Sequence, residues 1–201
     1  MTDYFAFFDF PRRPLIDEAL LKERFTRLSR SIHPDKSPEA IERAHDGDQD
    51  FRHDFAVAVA GFKILSQPES RIAHLLELEF GSRKCDYSGK ELSDWFQRIA
   101  TILPPIDQTL NNIRQETSPF LRAVKISTAQ PQIEQLDSIC DGLATVETGL
   151  LDQIAELDAL WPDHHAETKK ALAQVAADLT FVHKWLSQVN ERRLRFSELL
   201  S

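Results

Sequence analysis

Glycine, cysteine and methionine are scarce in this chain, with six, two and one residues among 201. The only cysteines, Cys85 and Cys140, lack metal-ligand spacing and are too few for a disulfide scaffold, which suits a reducing compartment. No apolar run reaches the ~18 residues of a membrane span. The acidic start Met1-Thr2-Asp3 does not resemble a secretory or transit peptide, so a soluble, cytoplasmic chain is expected. An overall basic balance is also missing. The net charge of -8 and pI of about 5.4 argue against general nucleic-acid binding. No nucleophile–base set, phosphate loop or metal cluster stands out, so the residues give an enzyme no support and call for no cofactor.

What is present is apolar residues at helical spacing, and a hydrophobic content of 42% is enough for one large or two small folded domains. Leu21, Phe25, Leu28 and Ile32 recur at steps of four, three and four and predict a helix with one face on a core. Arg24, Arg27 and Arg30 lie on its other side. From Arg12 to Lys36 basic residues exceed acidic ones by three, against the acidic balance of the whole. Pro34 bars His33 from helical geometry, so the helix ends there and His33-Pro34-Asp35-Lys36 forms a loop. Phe51, Phe55, Val59 and Phe62, with Ala58 and Leu65 beside them, predict a second helix that Gln67-Pro68 stops. Two such helices with an exposed turn between them make an antiparallel hairpin, which the aromatic segment Tyr4 to Phe10 can brace.

A His-Pro-Asp turn between a basic helix and a second helix resembles the J-domain of the Hsp70 co-chaperones. Asp3-Tyr4-Phe5, Phe25 eight residues before the histidine, Pro68 with Arg71, and the run Leu75 to Gly81 are similar to the HscB branch, which serves iron–sulfur cluster assembly. The resemblance covers essentially the whole chain. It implies an all-α protein: a J-domain hairpin over 1–80, a linker over 81–89 and a client-binding three-helix bundle over 90–201. Some positions depart from the family. Val59 stands where an asparagine is usual, His74 where an aromatic is expected, and Ile32 where many J-domains have tyrosine. The N-terminal pair of CxxC zinc motifs carried by some members is not matched.

The second half of the chain carries two long apolar alternations. One runs Ile133, Leu136, Cys140, Leu143, Leu150, Ile154, Leu157 and Trp161, broken only by Glu147; the other runs from Leu172 to Leu200, broken only by Arg193. Trp161-Pro162-Asp163 separates them, with Asp163 a plausible helix cap. Their partner is the segment from Glu91 to about Lys125, where Trp95, Ile99, Ile102, Ile106 and Ile113 offer a matching stripe, so a three-helix bundle is expected. Leu92, Phe96 and Leu103 lie to one side of that stripe, and Phe181 and Trp185 lie off the seam of the last helix. Surplus aromatics of this kind mark either a binding face or a junction packed against the first domain.

The resemblance implies that His33, Pro34 and Asp35, with Lys22, Arg24, Arg27, Arg30 and Lys36, dock on an Hsp70-family chaperone (HscA-like or DnaK-like) and accelerate its ATP hydrolysis. A carboxylate in an exposed turn can accept charge-assisted hydrogen bonds from a partner arginine, each worth about 1.5–3 kcal/mol. The resemblance further implies a client face of Leu92, Trp95, Phe96, Ile99, Phe181 and Trp185, Phe181 standing where the family has a client-contacting phenylalanine, and an IscU-like iron–sulfur scaffold as client. The family's first bundle helix presents acidic residues to that scaffold. Here Trp95 to Leu110 holds only Asp107, so the scaffold contact does not carry over whole. A J-protein for an unrelated client and a helical adaptor without Hsp70 activity are the alternatives.

Three short motifs lead nowhere. Asp46, Asp48 and Asp50 open like a calcium loop, but Phe51 and Val57 occupy the positions that need glycine and glutamate. His45-Asp46 and His164-His165 have no partner ligands at suitable spacing. Leu103-Pro104-Pro105 echoes the scaffold segment that the pathway's Hsp70 recognises, yet Ile106 and Asp107 follow it, so the prolines are read as kinking or restarting the first bundle helix.

Overall fold

The computed structural model describes residues 1–32, 48–81, 92–161 and 165–200. Every regular element among those residues is a helix, without a strand, and they fall by internal contacts into two units. One comprises residues 1–85 with 154–176, the other residues 86–153 with 177–201. The expected linker over 81–89 lies outside the described residues except for Gly81. It follows the order of the chain, whereas the contacts place residues 154–176 with the N-terminal part. His33, Pro34, Asp35, Lys36, Cys85 and Asp163 also lie outside the described residues.

The first unit begins with a single turn, α1 (Tyr4–Phe7), capped by Asp3, whose Oδ1 accepts from the Ala6 amide at 3.1 Å. Helix α2 (Glu18–Ile32) starts at Asp17, whose carboxylate accepts from the Leu20 amide at 3.0 Å. It packs on α3 (Asp48–Leu65), with the rings of Phe25 and Phe62 stacked at 4.3 Å. The two expected helices are present and packed on one another, but the buried stripe of α3 is not the expected one. Phe55 and Val59 are exposed, while Ala58, Gly61 and Leu65 are buried. The reason is close approach: a Cβ on Gly61 would stand 2.7 Å from the Tyr4 ring and 2.8 Å from that of Phe8. Small residues admit the aromatic segment where large ones would hold it off.

Helix α4 (Pro68–Phe80) has proline in its first turn and ends on Gly81, at φ 68°. That left-handed conformation suits glycine and lets its amide close on the Glu77 carbonyl. Arg71 of α4 is buried, donating through Nε to the Pro14 carbonyl at 2.8 Å and through Nη1 to that of Leu65 at 2.6 Å. His74 fills the aromatic's place as an aromatic would, its ring parallel to that of Phe5 at 5.8 Å. Residues 154–176 complete this unit. Asp158 takes a 2.5 Å ion pair from Arg13 and a 2.9 Å hydrogen bond from the Leu15 amide, and Trp161 Nε1 donates to the Arg12 carbonyl at 3.0 Å.

The second unit is built from α5 (Ser93–Arg114), α6 (Pro119–Thr128) and parts of the two long helices α7 (Gln130–Leu160) and α8 (His165–Leu200). Helix α5 runs unbroken through Pro104 and Pro105. Neither proline can donate to the carbonyls of Ala100 and Thr101. Ile99, Leu103, Ile106, Leu110 and Ile113 are all buried, and this apolar stripe holds the helix together across the gap. The single helix expected from Glu91 to Lys125 is broken after Arg114. The turn is stapled by Glu116, whose carboxylate pairs with Lys125 at 2.7 Å and whose carbonyl accepts from Arg122 at 2.6 Å. On α8 the buried residues include Leu179, Val182, Trp185 and Val189, with Leu186 only half-buried.

Candidate functional site

Two groups of side chains are candidates for a functional role. The first is the polar face of α2. Lys22, Arg27 and Arg30 are exposed and, among the described residues, have no ion-pair partner. Arg24 differs. Its Nη1 donates to the carbonyls of Phe8, at 2.6 Å, and Asp9, and its guanidinium lies 4.5 Å from the centre of the Phe10 ring. Arg24 thus ties α2 to the N-terminal turn, so the outward-facing part of the basic stripe consists of the other three cations.

That turn is anchored a second time. Arg12 pairs with Asp3 at 2.7 Å and with Glu79 at 3.0 Å, joining the start of the chain to the end of α4. These hydrogen bonds raise the Arg12 pKa. Burial pushes the Asp3 carboxyl up, but hydrogen bonds from the Ala6 amide and Arg12 prevail and hold it below its ordinary value.

The second group lies on α5 and α8, in the second unit. Of the expected client face, Leu92, Ile99 and Trp185 are interior, at 6%, 4% and 5% exposure, whereas Phe96 is 62% exposed. Trp95 lies against Gly142 of α7, where a Cβ would stand 2.6 Å from its ring, and Arg98 covers it at 5.1 Å. Phe181 is half-buried with its ring 5.9 Å from that of Trp185. Phe96, Leu103 and Pro104 of α5 and Lys184, Trp185 and Gln188 of α8 line a groove of about 510 Å³. Asp107 and Arg192 also line it, paired at 2.7 Å, with Asp107 Oδ1 and Arg192 Nε holding no hydrogen bond. Among the described residues no group of three or more His, Cys, Asp or Glu side chains is placed to hold a metal ion, and no helix is long and apolar enough to cross a membrane.

The fold matches that of a solved structure. Chaperone HscB from Vibrio cholerae superposes with a TM-score of 0.59 over 94% of this chain and 96% of that one, at 18% identity. The chain has an HscB-type fold. Its sequence is similar to that of the HscB co-chaperones as well: it is 38% identical over 79 residues to the co-chaperone protein HscB homolog of Azoarcus sp. (strain BH72), and 39% identical over 83 residues to that of Shewanella woodyi (strain ATCC 51908 / MS32). Each match takes in 38% of this chain and 41% and 42% of the two relatives, so the chain aligns with about two fifths of the length of the curated relatives it matches. No family model matches.

The groove lies on two helices that also carry the expected client face, and sequence reasoning missed its polar end. Asp107 and Arg192 are 85 positions apart, and nothing in their spacing joins them. The signal available was weak: Arg192 stands among other arginines, and Asp107 is the lone carboxylate from Trp95 to Leu110.

Proposed function

We propose that this chain is a J-domain co-chaperone of iron–sulfur cluster assembly, acting in the cytoplasm. In this reading His33, Pro34 and Asp35 dock on an Hsp70, HscA-like or DnaK-like, with Lys22, Arg27, Arg30 and Lys36 steering the approach. Docking accelerates the partner's ATP hydrolysis, and the chain itself hydrolyses nothing. The bundle face around Phe96 and the rims of Trp95 and Phe181 offers the client, an IscU-like cluster scaffold. The observation that carries the reading is the His-Pro-Asp tripeptide directly after α2, in a chain of HscB-type fold whose outward cations sit on that same helix.

Long-range attraction between this stripe and an acidic partner makes association salt-sensitive. Arg27→Glu with Arg30→Glu is expected to weaken Hsp70 binding, read by titration at low ionic strength. Unchanged affinity there removes both residues from the interface.

A J-protein for a different client is the second reading, and Asp107 favours it. The one carboxylate on the relevant stretch of α5 is held by Arg192 and offers little to a basic scaffold surface. Pull-down of an IscU-like scaffold by the full chain, with Phe96→Ser as control, separates the two. Retention that the substitution abolishes supports the first reading; no retention by the unaltered chain supports the second.

A further inference from the structure

The groove between α5 and α8 has a chemistry of its own. From Phe96 to Asp107 it follows eleven residues of α5, about 16 Å at the rise of a helix. That is the length of three helical turns of a partner, the span over which an apolar stripe docks in a groove between helices. Phe96, Leu103 and Trp185 supply the apolar wall. The charges around it are not balanced. Asp107 is neutralised by Arg192, and Asp94 lies outside the groove, lining an adjoining shallow recess with Arg98. Glu191, beside Arg192, pairs with Arg195 at 2.6 Å. His183, beside Lys184, meets Glu147 at 2.8 Å. Lys184 alone is exposed on the groove wall with no ion-pair partner among the described residues.

We infer that the groove takes an amphipathic helical segment of a partner protein, apolar along one stripe and acidic on the flank that meets Lys184. This rests on the reading of the bundle as the client-binding part. A carboxylate there pairs with Lys184, whereas a lysine-flanked segment meets only Asp107, whose charge Arg192 already pairs at 2.7 Å. The chain's net charge of -8 opposes an acidic partner at range, but charges further off than about 10 Å are largely screened at 0.1 M salt, so the local cation decides.

The test uses the full chain and two labelled twelve-residue helical peptides with the same leucine stripe, one flanked by glutamate and one by lysine, titrated by anisotropy in 0.1 M salt. The glutamate peptide is expected to bind about two- to fivefold tighter, the range of one partly exposed ion pair. Lys184→Glu should abolish or reverse that order, and Phe96→Ser should weaken both peptides, with helical content by circular dichroism confirming that each variant folds. Equal or tighter binding of the lysine peptide, or an order that Lys184→Glu leaves unchanged, overturns the acidic specificity and leaves the groove as a site. Binding of neither peptide, or binding indifferent to Phe96→Ser, overturns the groove as a docking site together with the inference.

Discussion

Arg71 shows what a single buried side chain contributes. Its guanidinium replaces water with the carbonyls of Pro14 and Leu65, and burial lowers its pKa against the pull of Glu18, Glu69 and Asp158. Arg71→Met keeps much of the volume and leaves both carbonyls without that donor. It should destabilise the protein by about 2–4 kcal/mol, read from urea unfolding. Asp3 sets an acid limit on the same unit. Its folded pKa lies below its ordinary 3.8, so its contribution is fully present above that value and is lost as pH falls through the folded one. The stability difference between the wild type and Asp3→Asn should therefore be constant near neutrality and shrink below about pH 4. A difference that persists unchanged to pH 2 removes Asp3 as the source.

At the scale of elements, legibility followed the size of the stripe. Helix positions could be read because apolar residues recur at 3.6-residue spacing, and α2, α3, α5, α7 and α8 all lie near where that pattern predicts. Which face each helix buries was read less well. The seam drawn along α8 left Trp185 outside, yet Trp185 is buried and Leu186 half-exposed. A helix that meets two neighbours needs an apolar arc wider than one seam, so residues off the seam belong to the interior. On α3 the error had the opposite sign. Gly61 faces the core because it is small, and a search for large apolar residues passes it over. Gly142 is the same case on α7. Gly142→Ala gains about 1 kcal/mol of helix propensity but drives a methyl into Trp95, an overpacking that costs about 1–3 kcal/mol, so a lower melting temperature and altered tryptophan emission are expected. The prolines of α5 make the converse prediction. Pro104→Ala restores a donor to the Ala100 carbonyl and should raise stability by about 1–3 kcal/mol.

At the scale of the molecule, the order of the chain and the grouping of contacts differ over residues 154–176. A chain cut to residues 86–201 keeps both long helices but deprives Asp158 of Arg13 and Trp161 of the Arg12 carbonyl. Its helical content should persist while Trp161 becomes accessible to a quencher. The sequence could not show this, because the period of α7 is the same on either side of Gln153 and only long-range partners distinguish its ends. The candidate site was legible in unequal parts. The His-Pro-Asp turn is read from four adjacent residues, whereas the groove is assembled from helices that start about 70 residues apart. The central claim is Hsp70 activation through that turn, and the most direct test is single-turnover ATP hydrolysis by the partner Hsp70 with the wild type and with Asp35→Asn, the fold of each checked by circular dichroism. The account predicts stimulation by the wild type and none by the folded variant; equal stimulation by both would contradict it.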